Sequence, residues 1–155
     1  MNARITTAAL LDRLERIVDL RVHELEIHEY GNLDFRARGS EQNLIIHRGP
    51  RSSFDDALAF CQRSLSNYYD VNGDHRFAFR DEILAFARCL QPAGCAVEEF
   101  SRWFRERAAG LRAPIDSRPR GRGLAAWVLL DTWSEQLRVC ETEREYLAVY
   151  WSTSA

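Results

Sequence analysis

Lysine is missing from this chain altogether: all 21 basic residues are arginine. That removes the Schiff-base nucleophile and the phosphate-binding lysine of a P-loop, and two large enzyme classes with them. Such a complement is what the coding bias of a GC-rich bacterial genome produces. Long apolar runs are missing too. None approaches the roughly 18 residues of a membrane span. The start, Met1-Asn2-Ala3-Arg4, leads into an amphipathic stretch and not into the apolar core of a secretory signal. A cytoplasmic protein with no membrane partner is expected. Cysteine is limited to Cys61, Cys89, Cys95 and Cys140, with no C-x-x-C pair and no histidine at a metal-sharing distance. Free, reduced thiols follow. The patterns G-x-S-x-G, G-x-G-x-x-G and H-E-x-x-H do not occur. No residue stands out as catalytic, and a non-enzyme is expected.

What is present is enough for one real core. The 155 residues include four Trp, five Tyr and eight Phe, and 46% are hydrophobic, so the chain can bury the area a single domain needs. The expectation is one α+β domain over 1–155. Residues 6–20 predict a helix, with Leu10, Leu14, Ile17 and Val18 at helical spacing and Thr6 or Thr7 as its cap. A hairpin with a loop at Tyr30-Gly31-Asn32 would set Ile27 against Phe35 and Leu25 against Ala37, with Glu26 facing Arg36 on the other side. Residues 43–48 would add a third strand, completing a three-stranded antiparallel meander.

Ser52 or Ser53 would open a second helix with Phe54, Leu58, Cys61 and Leu65 inward. Helices are expected over 81–91 and 96–109, separated by a break at Pro92-Ala93-Gly94 and ended by Gly110. Residues 112–123 read as an exposed arginine-rich loop. The remainder from Leu124 holds neither Gly nor Pro. Its Val, Thr, Tyr and Trp content favours strands near 125–132, 137–142 and 146–152 over a helical C-terminus. In that meander Leu137, Val139, Leu147, Val149 and Trp151 would share a face.

Residues 70–81 carry the most specific local pattern. Oxygen ligands Asp70, Asn72 and Asp74 fall at positions 1, 3 and 5, the Arg76 carbonyl at 7, apolar Phe77 at 8 and a carboxylate, Asp81, at 12. The segment resembles the twelve-residue calcium loop of EF-hand and dockerin modules, which implies a Ca²⁺ site on those residues. It departs from that pattern at position 6, where His75 replaces the turn glycine, and at position 12, where Asp replaces Glu. The same residues also read as a hairpin, because Asn72-Gly73 suits a two-residue turn.

The second pattern is charge. Residues 102–122 hold seven arginines against Glu106 and Asp116, a local +5 in a chain of net −2, which leaves −7 elsewhere. Arg102, Arg105, Arg112, Arg118, Arg120 and Arg122, with Trp103, are the candidate partner contacts. Guanidinium forks suit carboxylates and phosphates, so an acidic protein or a nucleic acid could be held there. His28 and His47 could approach one another across neighbouring strands.

The N-terminal order of helix, three strands, helix, hairpin and helix resembles type III secretion chaperones. That resemblance implies a chaperone-like partner surface; the last 60 or so residues have no counterpart in it. A small, motif-poor domain with one charged face is expected to be an interaction protein of the immunity, inhibitor, anti-defence or chaperone type, binding one specific partner. Calcium binding and nucleic-acid binding are the alternatives.

Overall fold

A computed structural model describes residues 4–16, 25–37, 39, 41–67 and 80–154. Helices α1 (Thr7–Glu15), α2 (Ala57–Asn67), α3 (Arg80–Arg88) and α4 (Val97–Ala108) accompany six strands. These are β1 (Glu26–Tyr30), β2 (Gln42–Pro50), β3 (Ala93–Cys95), β4 (Gly123–Asp131), β5 (Glu135–Thr142) and β6 (Glu145–Thr153). All six join one antiparallel sheet in the order β1-β2-β6-β5-β4-β3. Among the described residues no helix is long and apolar enough to cross a membrane.

Local chemistry sets several boundaries. The Thr6 hydroxyl accepts the Ala9 amide at 3.1 Å and caps α1. Asp56, and neither expected serine, caps α2 by accepting the Ala59 amide at 2.8 Å. Ser52 and Ser53 lie in a short 3-10 turn, Arg51–Ser53. The helical stripes bury as their spacing requires: Leu10 and Leu14 on α1, Leu58, Cys61 and Leu65 on α2, Ile83 and Ala87 on α3, Phe100 and Phe104 on α4. Ile17 and Val18 lie outside the described residues.

The class is α+β, but the strand layout differs from the expected N-terminal meander. β1 does pair antiparallel, yet its partner is β2: Ile27 faces His47 and Tyr30 faces Leu44. Residues 32–34 form a 3-10 turn instead of a second hairpin strand. Two local hydrogen bonds explain this. The Asp34 carboxylate accepts the Gly31 amide at 2.8 Å, and Asn32 Oδ1 accepts the Glu41 amide at 2.9 Å, so short polar side chains satisfy the backbone groups a hairpin would have used. Phe35, only 1% exposed, makes a lone bridge to Leu111. Burying that ring outweighs pairing it with Ile27, which stays 38% exposed on an edge strand.

The break expected at 92–94 does separate α3 from α4, and it carries the short edge strand β3, which pairs with Ala126–Val128. The C-terminal meander forms as strands, with a different distribution of faces. Leu137 pairs with Tyr150 and Val139 with Ala148, so Leu137 and Val139 lie on the opposite face from Leu147, Val149 and Trp151. Both faces are apolar because both are covered. One takes α1, α2 and α3 against Trp127, Leu129, Leu137, Val139 and Tyr146. The other takes Phe35, Leu111 and α4 against Leu44, Ile46, Cys140, Leu147 and Val149.

Candidate functional site

The arginine-rich segment from Leu111 to Arg122 leads from α4 to β4 and lies across one end of the sheet as a strap. Its anchor is a buried ion pair. Arg48 on β2 and Glu145 on β6 are 3% and 4% exposed, and Arg48 Nη1 donates to Glu145 Oε1 at 2.5 Å. Arg48 Nη2 donates to the carbonyls of Asp116 and Arg118, each at 3.1 Å. Glu145 Oε1 also accepts the Arg120 amide at 2.9 Å, and the Thr142 hydroxyl donates to the Arg120 carbonyl at 2.6 Å. Burial pushes the Glu145 carboxyl above its ordinary range, against the pull of the Arg120 amide and of Arg48. The expected loop is therefore exposed in its side chains and pinned in its backbone.

The anchor was missed in sequence because its members are 97 residues apart. A signal was present: Arg48 ends the strand-like run Asn43-Leu44-Ile45-Ile46-His47-Arg48, and a charge on a buried strand requires a partner.

Half of the candidate arginines are already engaged. Arg120 grips Glu26 with both Nη atoms, at 2.8 and 3.2 Å, and its Nε lies 3.5 Å from Asp116. Arg120 and then His28 pull the Glu26 carboxyl down to about 2, and Glu26 holds the Arg120 guanidinium above its ordinary range. Arg122 pairs with Glu143 at 2.7 Å, and Arg112 donates to the Phe35 carbonyl at 3.0 Å. Trp103 lies inside the core at 6% exposure; its indole donates to Gln136 at 2.8 Å and Arg138 lies over its ring.

Arg102, Arg105 and Arg118 remain. They are exposed and make no ion pair or side-chain hydrogen bond among the described residues. Glu98, Ser101, Arg102 and Arg105 recur on one face of α4. A cleft of about 410 Å³ separates that face from the strap, lined by Val97, Glu98, Ser101 and Arg105 on one side and Ser117, Arg118, Pro119 and Gly121 on the other. It is two-sided, with Arg105 and Arg118 set against Glu98.

The remaining expected groups fall elsewhere. Asp70, Asn72, Asp74 and Arg76 lie outside the described residues, as does His75; Asp81 is exposed in the first turn of α3. Among the described residues no three metal-binding side chains come together. His28 and His47 do not meet. His28 faces Ile46 and Ile27 faces His47 in the strand register, so the imidazoles point to opposite sides. His47 is buried, with Nδ1 2.7 Å from the Ser64 hydroxyl, and burial followed by the charge of Arg63 holds it down to about 3. Cys61 and Cys140 are buried free thiols, each pushed up to about 12, chiefly by burial.

The arrangement is thus a sheet covered on both faces, with a pinned basic strap at one end. Comparison with protein-family models, with curated proteins and with solved structures finds no match to this chain.

Proposed function

We propose that this chain is a non-catalytic interaction protein of the inhibitor, immunity or chaperone kind, and that it holds one specific protein partner by an acidic segment laid in the cleft between α4 and the strap. The observation that carries this reading is the division of labour among the arginines. Arg48, Arg112, Arg120 and Arg122 are committed to internal acceptors, whereas Arg105 and Arg118 line one cleft with unspent donors and Arg102 lies exposed on α4 outside its lining. A pinned backbone presents those guanidinium groups at little entropic cost on binding. Each can take a carboxylate in a forked, charge-assisted contact. Two unspent arginines at the cleft, with Glu98 beside them and Arg102 on the same helix, suit a short acidic peptide segment better than a nucleic-acid backbone, which usually engages many more cations.

Fluorescence anisotropy with a labelled Asp/Glu-rich peptide, compared with a single-stranded oligonucleotide of equal charge, tests this. The peptide should be preferred, and Arg105→Glu with Arg118→Glu should weaken it at least tenfold, about 1.4 kcal/mol. A preference for the oligonucleotide, falling steeply with salt, would replace the protein partner with nucleic acid.

A further inference from the structure

Two further clefts border the strap at Arg120. The larger, about 460 Å³, is lined by Leu25, Glu26, Arg48, Pro50, Arg120 and Arg144, together with Gly49 and Glu145. The smaller, about 230 Å³, shares Glu26, Arg48 and Arg120 with it. The Glu26–Arg120 bridge therefore stands between them. Its geometry is that of a bound carboxylate: two oxygens on two Nη atoms of one guanidinium. Both side chains are nearly half exposed, at 43% and 44%, so exchanging Glu26 for another carboxylate sacrifices little. Glu26 would not be stranded, because His28 Nε2 already lies 2.9 Å from its Oε1.

Arg144 supplies the second cation. It is exposed and has no ion pair among the described residues. Its stem rests on Gly121, where a Cβ would come within 2.8 Å of Arg144 Cγ. The bare glycine, at φ +91°, thus leaves room for the arginine along the strap. The larger cleft is lined by three arginines against two glutamates, has apolar walls in Leu25 and Pro50, and falls in the size range of small-molecule sites.

We infer that the larger cleft is a binding site for a small dicarboxylate, one carboxylate replacing Glu26 on Arg120 and the other reaching Arg144, with the connecting carbons against Leu25 and Pro50. Glu26 is then an internal stand-in that occupies half of the site when it is empty. This site uses residues distinct from those of the α4 cleft, so each can fail alone.

Calorimetric titration of the full chain with glutarate at low salt tests the assignment, with inorganic phosphate as the competing probe and thermal melting to verify folding. Glu26→Gln should tighten glutarate about fivefold by removing the competitor. Arg144→Gln should weaken it about tenfold while the melting temperature holds, and Arg88→Gln, on the surface of α3, should leave it unchanged. Failure of the folded Glu26→Gln protein to bind glutarate would overturn the site. Indifference to Arg144→Gln would overturn it equally, and phosphate bound as tightly as glutarate would overturn the dicarboxylate class.

Discussion

Arg48 and Glu145 show what a buried charge does to its surroundings. Their desolvation is severe, and in many proteins such a pair can be exchanged for apolar residues at no loss. Here the exchange cannot be neutral, because Arg48 also serves two strap carbonyls and Glu145 an amide. Urea denaturation of Glu145→Gln should show a loss of about 3–5 kcal/mol, the usual result of leaving a buried charge uncompensated. A double replacement by Met and Leu should remain destabilised, with three orphaned backbone groups. His47 gives a pH dependence of known sign. Its folded value of about 3 lies below the ordinary 6.5. Between those limits the unfolded chain takes a proton that the folded chain refuses, so stability is full above about pH 6.5 and falls as the medium is acidified. Between about pH 7 and pH 5 this one group should remove about 2 kcal/mol. Urea midpoints at the two pH values measure it, and their separation should shrink in His47→Gln.

Among the elements, the strap depends on two glycines. Gly121 has φ +91°, and a Cβ on Gly123 would lie 2.4 Å from Val97 Cγ1. Gly121→Ala should cost about 1–3 kcal/mol in denaturant melts, from left-handed strain and the displaced Arg144 stem. The helices and β4–β6 could be read from the sequence because each carries its own periodicity or β-branched and aromatic content; Phe100 and Phe104 need only each other to predict α4. What could not be read is which strand meets which. Residues 42–50 are flanked by β1 and by β6, about a hundred positions later, and nothing in their own alternation names either neighbour. The faces of β5 and β6 were misassigned because a sheet covered on both sides is apolar on both sides, which removes the alternation that fixes register. At the candidate site the positive charge was plain in the sequence. Which arginines were spent was not, since Glu26, Glu143 and Glu145 reach them from strands and turns distant in the chain or in register.

For the molecule as a whole, the two covered faces define what reagents can reach. Cys89 is exposed, whereas Cys61 and Cys140 are enclosed on opposite sides of the sheet. A thiol-reactive disulfide reagent should therefore modify Cys89 promptly in the native protein. Cys61 and Cys140 should react only as denaturant unfolds it, with mass spectrometry of the peptides reading the order.

The strand order has a consequence for how the chain is made. β6, which follows every other strand in sequence, lies in the middle of the sheet between β2 and β5. A ribosome that has delivered everything up to Arg144 has produced two separate pieces, β1-β2 and β5-β4-β3, each with an open edge where β6 belongs. Neither can close on the other. The sheet therefore cannot be completed until β6 itself has been made. Until then two open strand borders face solvent, and the insertion of β6 joins both in a single step.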